Sequence, residues 1–179
     1  ASDYGPWELW PGPLDDNGNA PADCGEYDRM YKVNKQDILD YQDTGVATAD
    51  LADWPFQLGA PVIDGDGDPN NYNLAGGDRP DILGDQGIWW IMNDAGNEHS
   101  WSLTQPIGLE VQVLAFSFKR ADALNNTTFY KYKLINKGGA QLTETYFGIW
   151  SDPDLGDAGD DYVGSDTARG IGFVWNGDD

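Results

Sequence analysis

Apolar and polar residues alternate along most of the chain beyond residue 60, and this period of two predicts β-strands. The alternation is clearest over 109–116 and 127–136, where every second residue is apolar or aromatic. The turn residues Asn-Lys-Gly-Gly at 136–139 predict a hairpin that continues into a strand over 142–150. In full, the predicted strands cover residues 88–91, 109–116, 127–136, 142–150 and 171–175.

The first 60 residues show no sustained period and predict an irregular segment with one short helix over 34–42. Asn34 is a suitable N-cap, Asp37 stands at the third helical position, and Gly45 ends the pattern. We therefore expect an all-β fold, an antiparallel β-sandwich over 61–179 with long Asp/Gly-rich loops. We expect residues 1–179 to form a single domain.

Charge narrows the range of partners. The 179 residues carry a formal net charge of −21, yet 13% of them are aromatic, which is enough for a packed core. Phosphates of nucleic acids and of anionic membrane surfaces would be repelled by such a chain. No apolar run approaches the ~18 residues that a membrane-spanning helix needs. We expect neither nucleic acid nor a membrane span.

The few basic residues are concentrated in one region. Half of the ten Lys and Arg residues fall within 119–137, whereas residues 138–179 hold nine acidic side chains and only Arg169. This asymmetry is compatible with ordinary surface charge and also with head-to-tail contacts between copies of the chain.

Aspartate, rather than acidity in general, is the unusual feature of the composition. The chain has 26 Asp and 5 Glu, and many Asp lie two or three residues apart among Gly and Asn. Crowded carboxylates repel one another unless a cation lies among them, and short Asp side chains suit the oxygen shell of Ca²⁺. A dispersed acidic coat of the halophile type would use Glu freely, and this chain does not.

The first cluster alternates Asp64, Asp66 and Asp68, and Asp78 follows as a fourth predicted ligand. It begins like an EF-hand loop, but Pro69 stands where that loop needs Gly and Ala75 where it needs Glu. We expect a calcium site of another kind; a solvated Gly/Asp turn is the alternative.

Two further clusters extend the prediction to two or three Ca²⁺ ions. The second cluster is expected to hold one ion or two, with a charged surface loop as the alternative. The third contains neutral amides, so an Asx-rich turn explains it equally well. The predicted ligands are Asp152, Asp154, Asp157, Asp160 and Asp161 in the second cluster and Asp15, Asn17 and Asn19 in the third. Asn176, Asp178 and Asp179 resemble the start of one more site.

Catalytic chemistry finds little support, and we expect no enzyme. His99 is the only histidine, which leaves no zinc site with two histidines and no evident triad. Cys24 is the only cysteine, so it is either a small buried residue or paired with a group outside the chain. Acids that bind metal stay ionised, whereas a glycosidase needs a protonated general acid.

Exposed aromatic side chains would support a different function, a calcium-dependent polysaccharide-binding module. Trp54, Phe56, Trp89, Trp90 and Trp101 could stack on sugar rings or lie in the core. Two short glycosylation signals fit an exported protein. Asn125 and Asn126 begin overlapping Asn-x-Thr sequons, and Asp166-Thr167-Ala168 matches an O-glycosylation pattern centred on Thr167.

Several motifs in order resemble one family of exported proteins. They include Cys24-Gly-Glu-Tyr, Pro61-Val-Ile-Asp64-Gly-Asp66-Gly-Asp68, Gly77-Asp78-Arg-Pro80, Pro106-Ile-Gly-Leu-Glu110 and Tyr146-Phe-Gly-Ile-Trp-Ser-Asp152-Pro-Asp154. Over 24–179 the chain resembles the N-terminal region of large secreted bacterial proteins exported by the type IX secretion system. The resemblance implies a secreted, extracellular or cell-surface setting and a fragment of a longer chain. Ser165 stands where such proteins often have Cys, which leaves Cys24 without that partner.

Together these patterns predict an extracellular calcium-binding structural or adhesive protein. Calcium would hold the Asp-rich loops, and copies of the chain would associate in a surface or matrix assembly such as a fibre. The polysaccharide-binding module is the alternative.

Overall fold

A computed structural model of the chain describes residues 8–157 and 159–177. The chain divides into two compact units, 1–140 and 141–179. Antiparallel strands dominate both units, as the sequence predicts for a β-rich fold. The described sheets are one of five strands and two of two strands. Asp178 and Asp179, which the sequence links to a further metal site, lie outside the described residues.

The first unit contains seven strands and two helices among its described residues. In chain order they are β1 (Trp10–Pro11), β2 (Tyr31–Asn34), α1 (Lys35–Thr44), α2 (Ala49–Ala52), β3 (Val62–Ile63), β4 (Arg79–Pro80), β5 (Gln86–Asn93), β6 (Leu109–Ser117) and β7 (Thr128–Asn136). Single 3₁₀ turns occupy Cys24–Tyr27, Phe56–Leu58, Leu74–Gly76 and Ala123–Asn126. Neither α-helix is long and apolar enough to cross a membrane.

The main sheet is built around the long antiparallel pair β5–β6. Its register runs from Gln86 opposite Ser117 to Asn93 opposite Glu110. Strand β7 extends the sheet on the far side of β6, with Leu109 opposite Asn136. The other edge of β5 is shared by two short strands, β2 near its start and β1 near its end. The irregular N-terminal segment is thereby attached to the sheet at two places.

Local sequence explains helix α1. The Asp37 carboxylate accepts hydrogen bonds from the backbone N–H of Asn34 (2.8 Å) and from its side-chain amide (2.9 Å). These contacts satisfy a donor at the helix N-terminus that would otherwise lack a partner. Gly45 ends the helix in the left-handed conformation at φ 72°. Ile38 is the buried residue of the helix, and it joins the core.

One face of the main sheet packs on the N-terminal half of the unit to form the core. Trp89 of β5 and Leu114 of β6 are paired residues and both are buried. They pack in one cluster with buried side chains from the segments that precede the sheet. The cluster consists of Val33, Ile38, Leu51, Trp54, Ala60, Ile82, Trp89, Ile91 and Leu114. Trp54 and Trp89 are thus core residues rather than sugar-stacking surfaces.

A buried polar network ties the N-terminal segment to β6. The carboxylate of Glu110 is 2% exposed and accepts from the Leu14 backbone N–H (2.9 Å) and the Gln112 amide (2.9 Å). Lys137, directly after β7, places its Nζ 3.4 Å from that carboxylate and donates to the Leu14 carbonyl at 2.7 Å. The charge of Glu110 is therefore both paired and hydrogen-bonded, as a buried carboxylate requires.

The second unit contains one β-hairpin, formed by β8 (Asp161–Asp166) and β9 (Ile171–Asn176). At its turn the Arg169 side chain pairs with Asp166, and the Arg169 N–H donates to the Asp166 carbonyl at 3.2 Å. Every side chain described in this unit is exposed or only partly buried. A two-stranded hairpin with so little burial is marginally stable by itself.

The short strands β1 to β4 were not predicted from the sequence, and the prediction and the structure differ at two further places in the second unit. Residues 142–150, predicted as the second strand of a hairpin with β7, have no strand structure. Conversely, Asp161 begins β8, although its sequence neighbourhood predicts a metal-binding loop. In both cases the residue types suit the element that the sequence predicts. Whether a segment forms a strand depends on pairing with another strand, however, and local sequence does not encode that pairing.

The Glu110 network gives a testable consequence for stability. We expect Lys137→Ala to lower the free energy of unfolding by about 3 kcal/mol, because it removes the cation that faces a buried carboxylate. Lys133→Ala, which removes an exposed lysine of β7, should change it by less than about 0.5 kcal/mol. Urea denaturation followed by tryptophan fluorescence measures both. Equal losses in the two variants would contradict the importance of the network.

Candidate metal site

A short antiparallel pair of strands brings together the two Asp-bearing ends of the loop that connects them. Strands β3 and β4 pair Val62 with Pro80 and Ile63 with Arg79. Continuing this register by one residue sets Asp64 opposite Asp78. The 13 intervening residues then fold over the end of the pair, so Asp66 returns to the same place. The local sequence makes the turns, but the β3–β4 pairing decides which carboxylates meet.

Three carboxylates converge at this point. Asp64, Asp66 and Asp78 each place one oxygen within 4.8 Å of the other two. Asp64 and Asp66 are exposed, whereas Asp78 is buried at 3% exposure. Among the residues that the structure describes, this is the only group of three His, Cys, Asp or Glu side chains with that spacing. Such an arrangement leaves one side open to an incoming ion and one side fixed in the protein.

Backbone amides hold the buried carboxylate from both loops. Asp78 accepts from the N–H of Gly65 with one oxygen (2.8 Å) and from the N–H of Asn73 with the other (2.7 Å). Each oxygen of an ionised carboxylate has a second lone pair, with which it can still bind a cation. Asp78 therefore both fixes the loops and presents negative charge to the cluster.

The two exposed carboxylates are also oriented by their own loop. One Asp64 oxygen accepts from the Gly67 N–H at 2.6 Å, and one Asp66 oxygen accepts from the Asp68 N–H at 3.0 Å. The other Asp66 oxygen accepts from the Asn73 amide at 2.9 Å. The Asp68 N–H bond is the main reason that the pKa of Asp66 lies below its usual range, and the amide of Asn73 adds to it.

The close approach of the loops requires glycine at two positions. A Cβ on Gly65 would lie 2.3 Å from the carbonyl carbon and oxygen of Gly77. A Cβ on Gly76 would lie 2.5 Å from the Asn73 amide nitrogen and 2.7 Å from an Asp66 oxygen. Both distances are too short for a real side chain. The glycines are thus needed for the backbone contact that builds the cluster.

The negative charge of the cluster also affects the pKa of a neighbouring phenol, Tyr72. Tyr72 donates its hydroxyl to the Leu51 carbonyl at 2.8 Å. Burial raises the pKa of Tyr72, and the negative charge of Asp78 raises it further. The phenol stays neutral as a result and anchors the loop to α2.

Asn71 supplies a neutral oxygen that has no partner. Its Oδ1 is buried and accepts no hydrogen bond, while its amide nitrogen lies 3.3 Å from Asp66 Oδ2. Four buried side-chain oxygens or nitrogens lack a partner among the described residues, and three of them belong to Asp-rich clusters: Asn71, Asp160 and Asp161. A buried acceptor without a donor is costly, and a bound cation removes that cost.

The donor set of the first cluster fits a hard cation. Its three members offer carboxylate oxygens, with no sulfur and no imidazole. Ca²⁺ and Mg²⁺ both prefer oxygen, but Ca²⁺ accepts irregular shells of six to eight ligands.

Asp68, the remaining predicted ligand of the first cluster, has a different position. Its Oδ1 accepts from the backbone N–H (3.0 Å) and the side-chain amide (3.2 Å) of Asn70. It thus closes the turn beside the cluster and is not a member of the converging group. The sequence prediction missed Asn71 and Asn73, although the Asn-rich spacing that follows Asp68 was a visible signal for them.

The second predicted cluster is only partly brought together. Asp157 accepts from the Gly159 N–H at 2.9 Å, and Asp161 accepts from the Leu155 N–H at 2.8 Å. Asp152 and Asp154 are exposed. Asp160 and Asp161 each have one buried oxygen without a partner among the described residues. The loop is therefore ordered by two of its carboxylates, but no three of its described acids share one point.

The third predicted cluster is an Asx turn. Asp15 Oδ1 accepts from the backbone N–H of Asn17 (2.8 Å) and of Asn19 (2.9 Å). Its Oδ2 accepts from the Asn19 side-chain amide at 3.0 Å. The Asn19 side chain is the main cause of a lowered pKa at Asp15, and the backbone N–H of Asn19 contributes next. Both carboxylate oxygens are thus used within the turn itself.

The predicted glycosylation residues lie on accessible surfaces. Asn125 and Asn126 are exposed at the end of the 3₁₀ turn Ala123–Asn126, and Thr167 is exposed in the turn between β8 and β9. Cys24 is a free, buried cysteine, and burial raises the pKa of its thiol. His99 Nε2 lies 2.6 Å from the backbone carbonyl oxygen of Asp94, and its Nδ1 lies 3.1 Å from the Thr104 hydroxyl and 3.7 Å from a Glu8 carboxylate oxygen.

Comparison with known proteins assigns the chain to no family. No protein-family model matches the chain, and searches of curated proteins and of solved structures find no significant similarity.

The glycine contact at the first cluster can be tested directly. We expect Gly65→Ala to lower the free energy of unfolding by about 1–3 kcal/mol, because its Cβ would overlap the Gly77 backbone. Gly172→Ala is the matched control, since a Cβ there meets no atom within 4 Å, and it should change stability by less than about 0.5 kcal/mol. Thermal unfolding followed by circular dichroism measures the difference. A variant Gly65→Ala as stable as the control would show that the two loops do not pack as described.

Proposed function

We propose that the chain is an extracellular calcium-binding structural or adhesive protein in which Ca²⁺ stabilises Asp-rich loops. The observation that carries this proposal is the convergence of Asp64, Asp66 and Asp78, with Asp78 buried and held by amides of both loops. Two backbone amides bonded to one carboxylate are enough to close a turn, so three converging carboxylates are more than the turn requires. The excess of negative charge is what a divalent ion would offset.

Calcium would act as a cross-link between the two ends of the loop that connects β3 to β4. An ion bound to Asp64, Asp66 and Asp78 joins the segment after β3 to the segment before β4. Asn71 Oδ1 would supply a neutral ligand that otherwise lacks a donor. Because the unfolded chain does not bring these residues together, the free energy of ion binding adds to the stability of the folded state.

The other clusters belong to the same proposal with weaker support. The unpartnered oxygens of Asp160 and Asp161 support a second ion, with Asp152, Asp154 and Asp157 as further ligands. A third ion at Asp15, Asn17 and Asn19 would have to displace hydrogen bonds of an Asx turn. The proposed two or three sites should therefore differ in affinity, and the first cluster should bind its ion most tightly.

The proposed setting is secreted, at the cell surface or in a matrix. It is supported by the resemblance to type IX secretion substrates, by the short glycosylation signals at Asn125, Asn126 and Thr167, and by the Asp-rich composition. In this setting the chain would be one part of a larger assembly of copies. A sandwich, with a second layer on the main sheet, is part of this proposal.

Thermal unfolding in defined ions tests the calcium proposal. With free Ca²⁺ at about 100 times its dissociation constant, we expect about 2.7 kcal/mol of added stability and a Tm rise of about 5–10 °C. Mg²⁺ at the same ionic strength should give a much smaller rise, because it demands an octahedral shell. Equal Tm values in EDTA, Mg²⁺ and Ca²⁺ would refute the proposal.

Two variants separate site binding from general charge screening in that experiment. Asp78→Asn keeps an oxygen for the Gly65 N–H but removes the buried charge, so most of the calcium-dependent Tm rise should disappear. Asp43→Asn removes one exposed charge from helix α1 and should keep the full rise. If both variants respond to calcium like the unaltered chain, the ions act by screening alone.

A second candidate function is calcium-dependent polysaccharide binding, favoured by an aromatic strip on the β8–β9 hairpin. The rings of Tyr162 and Trp175 stack at 5.8 Å and 20°, and Phe173 lies 5.5 Å from Trp175. Gly164 permits this arrangement, since a Cβ there would lie 2.7 Å from the Phe173 ring. Flat, half-exposed rings beside carboxylates are a common surface for stacking on sugars.

A glycan array on calcium-loaded protein tests this alternative. A polysaccharide-binding module should give discrete hits that are lost in Trp175→Ala. Trp101→Ala removes an exposed tryptophan of the first unit and should keep those hits. An array without hits, or hits that persist in Trp175→Ala, would contradict the alternative.

A further inference from the structure

Strand β7 has one edge without a partner among the described residues. All nine of its residues pair with β6 on one side, from Thr128 opposite Ser117 to Asn136 opposite Leu109. No other described strand pairs with it. An open edge of this length presents a row of unpaired N–H and C=O groups about 30 Å long, which is a template for another strand.

The side chains of β7 favour contact rather than isolation. Tyr130, Tyr132 and Leu134 lie on one face of the strand and are 55%, 45% and 38% exposed. The two tyrosine rings stack at 6.2 Å. Lys131 and Lys133 lie on the other face and are exposed. Edge lysines discourage pairing with a like strand, so the preferred partner is an acidic one.

Residues 142–150 have the composition of a strand but pair with no described strand. Their Thr, Ile and aromatic residues are typical of a strand, but the structure gives them no strand. Tyr146, Ile149 and Trp150 are 91%, 82% and 81% exposed, which is unusual for large apolar side chains that lie so close together in sequence. This segment lacks the neighbours that its composition requires.

Charge makes the two surfaces complementary. Residues 119–137 carry five Lys or Arg and one acid, Asp122. Residues 142–150 carry one acid, Glu144, and no base, and residues 151–179, which follow them, carry eight further acids and one base, Arg169. At physiological ionic strength such blocks attract over about 8 Å, steer association and disfavour like-with-like contacts.

We propose that residues 142–150 of a second copy of this chain add to the open edge of β7. The added strand would gain main-chain hydrogen bonds, while its aromatic side chains cover Tyr130, Tyr132 and Leu134. The inference deepens the assembly part of the proposed function and does not depend on calcium. Because each copy offers one edge and one segment, the contact is heterologous and propagates from copy to copy.

Light scattering coupled to size-exclusion chromatography tests the association. We expect the average mass to rise with protein concentration from one chain of 19.6 kDa to two or more. Ile149→Ser should raise the dissociation constant at least about tenfold, because it removes an apolar side chain from the contact. Leu103→Ser is the matched control, as Leu103 has the same 82% exposure but lies in the first unit outside β7. A chain that stays monomeric, or equal effects of the two variants, would overturn the proposal.

Charge reversal tests the choice of partner surface. Lys131→Glu combined with Lys133→Glu should weaken association at least about tenfold at low salt, with a smaller effect at high salt. Lys35→Glu reverses an exposed lysine in the first turn of α1 and should leave association unchanged. Association that ignores the β7 lysines would place the contact elsewhere.

Cross-linking distinguishes a second copy from the same chain. Lys133→Cys and Thr145→Cys place thiols on exposed positions, while Cys24 stays buried. A short bis-maleimide should join the two single variants as a mixed dimer, and the variant that carries both should form multimers. If the doubly substituted chain yields only internally linked monomer at dilution, residues 142–150 pair within one chain and the proposal fails.

The same samples separate this proposal from the calcium proposal. Association should persist in EDTA if the β7 contact is correct, whatever calcium does to the Tm. A calcium-dependent Tm without association supports only the metal site, and the reverse result supports only the contact.

Discussion

Repulsion between carboxylates is the constraint on which the rest of this structure depends. With 26 Asp in 179 residues, stability requires that ionised oxygens find donors close at hand. Backbone amides are the main donors: Asp78 accepts from two of them, and the buried Asp94 accepts from Ile107 and Leu109, both at 2.7 Å. A short side chain reaches such amides from its own loop, which explains why Asp is used far more than Glu.

Elements governed by local contacts could be predicted from the sequence. The period of two located β5, β6 and β7 to within a few residues, and Asn34, Asp37 and Gly45 marked helix α1 because caps act over one turn. The first cluster was predictable in composition only. Strands β3 and β4 have two residues each, too few for a period, so nothing local revealed that their pairing sets Asp64 opposite Asp78.

The second unit shows where a pattern of residue types is insufficient. Residues 142–150 and the hairpin β8–β9 both have the composition of half-buried strands, yet no described side chain of the unit is fully buried. Burial in a sheet comes from a facing layer or a neighbouring strand, and neither is written in the segment itself. The exposed aromatic side chains of this unit and the open edge of β7 are thus both surfaces that no described strand or layer covers.

The Lys137 contact with Leu14 implies an order of events during folding. Leu14 bonds to groups that follow it by 96 and 123 residues, so these bonds close only after β6 and β7 are in register. These contacts of Leu14 therefore depend on the completed pairing of β6 with β7. Leu14 thus joins parts of the chain that are distant in sequence, and its contacts report that the sheet is complete.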